Sequence, residues 1–479
     1  MKRPNLVVVC LDTLRCDMIR HVGVDWMRTP NIDRLAKQSV IFENCYAEGL
    51  PTLQVRRAFF TGMRSFPWRF DMDVSGLWPT LRGWHRIPPE QPTMAEILLD
   101  EGYTSALIGD TPHMFRAGNF TRGFTCFDWI RGQESDNYKT GPLSAIDLAK
   151  HFKPGAAATQ PMRMLAQYLL NVKDRKVEDD YFCAQVFAKS AQWLEENLDG
   201  QPLFLWVDSF DPHEPWDPPR QYADLYCPDY QGPELIQVQA DKGLTAKEKE
   251  RIKALYCGEV TFVDRCLGRL LDKIESLGLK ENTIIMFVTD HGTELFDHGA
   301  LHKGGQKLFS YITRQAWFIY HPAHELRDRR VKAFVQDHDL FPTALRLLGV
   351  RHGPVDGIDV WPLATGEADA VRDHVITGYG DFASVRDAEW NFQVAFEAQD
   401  PKARLYHLAS DPQEKKNVAA AHPEAVRKQQ ERLEALLGQR LPAQLPDKTH
   451  PTEGPYVKRF ENLVKAGKIK LPQEASRGS

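Results

Sequence analysis

Four apolar runs constrain this chain most: NLVVVCL at 5–11, SALIG at 105–109, LFLWV at 203–207 and TIIMFVT at 283–289. Between them lie segments with apolar residues at helical spacing, such as YFCAQVFAKSAQWLEENL and LTAKEKERIKALYCGEVTFVDRCLGRLLDKIESLG. Strands that are apolar on both faces and separated by helices belong to a mostly parallel sheet covered by helices on each side. In such sheets ligands bind outside the carboxyl ends of the strands. Each of the four runs ends in functional side chains: Asp12; Asp110 and Thr111; Asp208 through His213; Asp290 and His291. A lone aspartate at a strand end is commonly a turn residue, but four such ends on one sheet edge point to a site. Asp12, Asp290 and His291 offer two carboxylates and one imidazole, a donor set suited to one divalent ion, Mn, Ca or Mg, with Zn as a fourth option.

At 479 residues the chain exceeds what one growing core usually serves, so two domains, or one with an appendage, are expected. A hydrophobic fraction of 42% and a charged fraction of 26% describe an ordinary globular protein. The net charge of −5 supplies no general basic field for nucleic acid or anionic membrane, so neither is expected as a partner and any anion site must be local. The run from Leu6 to Leu11 is shorter than a signal-peptide core and enters Asp12 directly. It reads as a buried strand, and no other segment reaches the length of a membrane span. Eight cysteines without CxxC pairing lead us to expect reduced thiols and a cytoplasmic location.

The segment PTLQVRRAFFTG, residues 51–62, is less easily placed. Two arginines follow a threonine and a small apolar run ends in Thr61-Gly62. By residue type alone Thr52 is either a nucleophile beside arginine or a helix cap with a solvated basic flank.

The blocks TPNIDRLAKQSVIFENCYAEG, VDSFDPHEPWDPP, VTDHGTELFDHGALHKGG, DHDLFPTALRLLGV and RLYHLASDPQEKKNVA occur in this order. Together they resemble the successive landmarks of the sulfatase family within the alkaline phosphatase superfamily. The resemblance implies an alkaline phosphatase-like α/β fold: a catalytic domain over 1–365 and a small C-terminal subdomain of antiparallel strands and a helix over 366–440. The remaining 441–479, rich in Pro, Lys and Glu, reads either as a tail that wraps the body or a neighbouring subunit or as a disordered one. A homodimer or homotetramer is compatible with it.

The family places its nucleophile in C/S-x-P-x-R before a short apolar run ending in Thr-Gly. Aligned on Thr61-Gly62, the arginine falls on Arg56 and the nucleophile on Thr52. In sulfatases that cysteine or serine becomes formylglycine, whose hydrate later expels sulfate by collapsing to the aldehyde. Threonine cannot yield the aldehyde. The resemblance therefore implies an unmodified Thr52 nucleophile, also a metal ligand with Asp12, Asp290 and His291, and a substrate that is a small phosphorus ester: phosphodiester, phosphonate monoester or phosphomonoester. Sulfate ester hydrolysis and non-catalytic anion binding are the alternatives. Arg56 and Lys303 correspond to cations on the transferring group, and His213 to a general acid for the leaving oxygen. Thr111, His113, His302 and Arg57 are candidate substrate contacts, Arg57 more as an outer one. Thr13 stands where many sulfatases carry a second aspartate, and His302 replaces a glycine. Asp208, Asp211, His213, His298 and His338 offer material for a second metal, but Lys303 would repel it, which favours one ion.

Overall fold

The computed structural model describes residues 3–69, 81–116, 118–134, 136–152, 160–238, 243–399, 402–445, 462–463 and 465–468. Most of the expected tail, and residues 70–80, lie outside the described residues.

Among the described residues the large sheet has nine strands. In chain order they are β1 (Asn5–Leu11), β2 (Val40–Tyr46), β4 (Thr104–Gly109), β5 (Cys126–Trp129), β6 (Leu203–Ser209), β7 (Thr283–Thr289), β10 (Arg314–Gln315), β11 (Trp317–Tyr320) and β12 (Arg329–Gln336); β3 (Gly49–Leu50) belongs to a second sheet, and β8 (Glu294–Leu295) pairs with β9 (Leu301–His302). Their order is β10-β2-β11-β7-β1-β6-β4-β5, with β12 also on β2. The four apolar runs become β7, β1, β6 and β4, adjacent and mutually parallel. The expected mostly parallel central sheet flanked by helices is present; β11 and β10 run antiparallel beside it.

Every residue of β1, β6 and β7 is buried. Two apolar clusters flank the sheet, one containing Val7, Val9, Leu205 and Phe287, the other Leu6, Val8, Trp206 and Met286. The alternation of neighbouring residues between the clusters is the period-two geometry of a strand covered on both faces. Each such side chain contributes about 1.5–3 kcal/mol by leaving water. The helix Ala246–Ser276 forms the longest cover; Thr245 and Glu248 close its start as a capping box. The segment 40–46 pairs with three strands and so joins the sheet fully.

The second sheet has the order β16-β15-β14-β13-β3, with β13 (Val375–Tyr379), β14 (Phe382–Arg386), β15 (Trp390–Ala395) and β16 (Arg404–His407) antiparallel in sequence. The helix Pro423–Leu437 packs against it. Its fifth strand, β3, comes from the N-terminal half and pairs parallel with β13, Gly49 opposite Gly378 and Leu50 opposite Tyr379. The late block around 404–418 serves this sheet. Glu414, almost fully buried, accepts from Ser310 N, Ser310 Oγ, Arg386 and Asn391 and ties the small sheet to the large one.

Candidate active site

Because β7, β1, β6 and β4 are adjacent and parallel, their carboxyl ends deliver Asp290, Asp12, Asp208 and Asp110 to one edge. Leu11 pairs with both Thr289 and Ser209, and Gly109 with Asp208, so the residues that follow emerge side by side. All four carboxylates are completely buried.

Thr52 is the first residue of the helix Thr52–Thr61, directly after β3. The N-cap is Pro51, and no side chain caps this helix, which removes the cap reading of Thr52. Its hydroxyl, on a residue 2% exposed, makes no hydrogen bond among the described residues. A helix N-terminus carries partial positive charge and favours an anion there. The helix ends at Gly62, whose φ of +68° is the left-handed conformation that glycine adopts without strain.

One turn after Thr52, Arg56 enters the carboxylate group. Its guanidinium lies 2.9 Å from Asp208 Oδ1, 2.7 Å from Asp290 Oδ2 and 3.1 Å from Asp12 Oδ2, with every partner buried. Burial would lower the arginine's pKa, but Asp208 and the other acids raise it well above its ordinary value. Thr111 Oγ1 donates to Asp208 Oδ1 at 2.6 Å, so Thr111 holds the carboxylate that holds Arg56. Asp208 is therefore committed to the arginine. Arg57, adjacent in sequence, points elsewhere: its guanidinium donates to the carbonyls of Gly83 and His85 at 2.6 and 2.7 Å and braces that loop.

Ligand atoms of Asp12, Asp290 and His291 all lie within 4.8 Å of one another. His291 Nδ1 sits 3.0 Å from Gly292 O and donates to it, which leaves Nε2 as a lone pair. That Nε2, and Asp12 Oδ2, are buried without a hydrogen-bond partner. Burial, then Lys303, pushes His291 down to about 3, so the ring is neutral. Burial and Asp290 raise Asp12, the signature of carboxylates crowded without a sufficient counter-charge. The unpartnered Nε2 of a neutral imidazole, beside two carboxylates of which Asp12 Oδ2 has only the ion-pair contact to Arg56, fits a divalent cation. It is the only such group found among the described residues. The proposed second-ion set does not assemble. Asp208 serves Arg56, and Asp211 accepts from Gln133. His298 stacks on Phe309 with Nε2 directed to Glu414 O, and His338 lies between Asp337 and Asp339.

Thr13 links the two halves of the site. Its amide donates to Asp290 Oδ1 at 2.8 Å, its hydroxyl donates to Asp12 Oδ1 at 2.7 Å, and that hydroxyl accepts from Lys303 Nζ at 3.3 Å. Its φ of +62° is unusual for a β-branched residue. On the far side of Lys303 stands Glu214, 3.6 Å from Lys303 Nζ, 3.6 Å from His213 Nδ1 and 3.5 Å from His302 Nδ1 through its two oxygens. His213 stacks on Phe210 and His302 on Trp216. His302 has φ +62°, a left-handed conformation that glycine adopts more readily than histidine. His113 pairs with Glu134 at 3.1 Å and packs edge-on against Phe210.

The structure thus gathers Asp12, Arg56, Asp290, His291, Lys303 and His213 at one edge, with Thr52 one turn before Arg56 on its helix, sets Thr111 on Asp208 and His302 beside Glu214, and directs Arg57 away. The sequence marks Thr13 only as the loss of a second aspartate, offers Asp208 as material for a second metal, and does not single out Glu214. For Asp208 the signal was its strand end; Glu214 neighbours His213 in sequence, but its partners on the 301–303 segment do not.

The sequence profile of the family described as Sulfatase matches residues 4–350. An arylsulfatase of Clostridium perfringens is 24% identical, over 87% of this chain and 90% of that protein. PehA of Trinickia caryophylli, a multifunctional alkaline phosphatase superfamily protein, is also 24% identical, over 73% of this chain and 74% of its own. Among solved structures, the phosphonate monoester hydrolase of Agrobacterium radiobacter superposes with a TM-score of 0.71 at 22% identity, covering 91% of this chain and 96% of that one.

Proposed function

Since the chain belongs to the sulfatase family, we propose that it is an ester hydrolase that uses Thr52 as an unmodified nucleophile on phosphorus esters. The observation that carries this reading is Thr52 itself: a threonine at a helix N-terminus, one turn from Arg56, with no hydrogen bond on its hydroxyl among the described residues. A sulfo-threonine would lack the aldehyde collapse that releases sulfate, whereas a phospho-threonine is open to hydrolysis by water. The similarity to a phosphonate monoester hydrolase supports this side of the family.

Asp12, Asp290 and His291, with the Thr52 hydroxyl, are the residues that would hold one divalent ion. When bound it supplies positive charge that lowers the proton affinity of the nucleophile and screens the phosphoryl oxygens. Arg56 presents planar donors to those oxygens and Lys303 a point charge. Thr52 Oγ1, its hydroxyl proton already given up to water, forms the bond to phosphorus as the bond to the leaving oxygen breaks, and protonated His213 gives that oxygen a proton from Nε2. In the second half His213 takes a proton from the water that attacks phosphorus, and Thr52 Oγ1 leaves as the same alkoxide.

Charge balance narrows the class. Arg56 is already faced by Asp12, Asp208 and Asp290, and Lys303 by Glu214. Cations so compensated favour a monoanionic group, a phosphodiester or phosphonate monoester, over a dianionic phosphomonoester. The test is an aryl ester panel with Mn on wild type, Thr52→Ala and Thr52→Ser. We expect diester or phosphonate hydrolysis, its loss by at least about 10³-fold in Thr52→Ala, and partial activity in Thr52→Ser. Equal activity in wild type and Thr52→Ala would refute the nucleophile.

A further inference from the structure

Glu214 is a buried carboxylate that the mechanism above does not use. It follows His213 on the loop after β6, and only 9% of the residue is exposed. Its Oε2 lies 3.6 Å from both Lys303 Nζ and His213 Nδ1, and its Oε1 lies 3.5 Å from His302 Nδ1. Oε2 and His302 Nδ1 are both buried without a hydrogen-bond partner. A buried carboxylate oxygen left short of two donors is costly unless an approaching group closes those gaps.

The orientation of His213 makes such closure useful. Its Nδ1 donates to the backbone carbonyl of Glu214 at 2.6 Å, and its ring is stacked on Phe210 at 4.1 Å. Nε2 is therefore the nitrogen that exchanges a proton with a ligand. We infer that Glu214 is a positioning residue that acts through His213: resting on the hydrolytic reading above, its carboxylate stabilises the imidazolium that protonates the leaving oxygen. The charged and titratable groups acting on His213 are Glu214, Lys303, Asp12 and Glu134, with His291 also coupled to it. Burial lowers the His213 pKa, and Glu214 is the strongest of the groups that raise it again. Burial likewise raises Glu214, but His213, Lys303 and His302 hold it well below the usual carboxylate range. The carboxylate thus stays ionised beside its histidine.

A plain structural ion pair with Lys303 would act on all substrates alike. A group acting through the general acid matters in proportion to how much the leaving oxygen needs a proton. The test is a leaving-group series of aryl esters, from p-nitrophenol to phenol, on the metal-loaded enzyme and on Glu214→Gln, Glu214→Asp, His213→Gln and the His213→Gln/Glu214→Gln double variant. We expect Glu214→Gln to lower kcat/KM about 10- to 100-fold for the phenyl ester and less than about threefold for the p-nitrophenyl ester. The alkaline limb of the profile, where the acid loses its proton, should move to lower pH. Glu214→Asp should recover part of the phenyl rate, and the double variant should be no slower than His213→Gln alone. A uniform loss across the series, no loss on the phenyl ester, or additive losses in the double variant would overturn the inference. Should wild type turn over aryl sulfates and not phosphorus esters, the substrate reading fails, yet the same series run on sulfates still decides the role of Glu214. Activity persisting in Thr52→Ala would strike the nucleophile without touching this comparison.

Discussion

Arg56 is the residue on which the site's electrostatics turn. A guanidinium that neutralises three fully buried carboxylates cannot be removed without leaving them uncompensated. Breaking a buried pair typically costs about 3–5 kcal/mol. Arg56→Leu should therefore lower thermal stability as well as abolish turnover, and Arg56→Lys should keep more of the fold than of the activity, because a point cation cannot serve Asp208 and Asp290 in the same geometry. Melting curves and rates measured on both variants separate the two effects. Thr13 offers a second residue-scale test. Its hydroxyl bridges Asp12 and Lys303, so Thr13→Ala should weaken metal binding by about 10-fold, the scale of losing an outer partner of a ligand. Calorimetric titration with Mn reads this directly, and unchanged affinity would deny the bridge its role.

At the scale of elements, the helix Thr52–Thr61 is fixed at both ends. Its C-terminus depends on Gly62, where an added Cβ would lie 2.9 Å from the Phe341 ring and would hold φ +68° under strain. Gly62→Ala should destabilise by about 1–3 kcal/mol, seen as a lowered urea midpoint. Its N-terminus depends on β3, which is paired with β13 of the small sheet. Thr377 Oγ1 adds a 2.6 Å bond to Ala47 O just before that strand. The helix itself was poorly legible: by residue type Thr52 reads as its cap with a solvated basic flank, whereas Thr52 lies inside the helix and both arginines are buried. The helices at 246–276 and 93–100 were legible because Thr245 with Glu248, and Thr93 with Glu96, carry their caps in the sequence.

The whole molecule joins two sheets through the strand that precedes the nucleophile, so damage to the small sheet should reach the active site. Gly378, on β13, has Phe66 packed where a Cβ would stand, at 2.3 Å. Gly378→Val should displace β3 and lower kcat although the residue touches no proposed catalytic group; a normal rate at normal stability would argue that β3 is merely adjacent. Acid should unfold the protein in a defined window. His85 and His338, in different parts of the fold, are each pushed down to about 3, by burial in both and then by Arg57 for His85, against Asp339 in the case of His338. In the unfolded chain such rings take a proton near 6.5, so the unfolded state binds more protons between about pH 6.5 and 3 and stability falls as pH drops through that range. Replacing His338 with Gln should flatten the pH dependence of the unfolding free energy there by about one proton, measured by urea titrations at pH 7, 6 and 5.

By itself the sequence determined the alternation of buried strands and helices, the parallel sheet, and the strand-end positions of Asp12, Asp208, Asp290 and His291, because apolar period and chain connectivity are local properties. The five blocks placed the chain in its family for the same reason. The tertiary structure decided which carboxylate serves which partner. That Asp208 holds Arg56 rather than an ion, that Arg57 faces Gly83 and His85, and that Glu214 stands among His213, His302 and Lys303 depend on side-chain directions and on segments distant along the chain. Coulomb energies and desolvation are set by those distances, and no spacing within one segment encodes them.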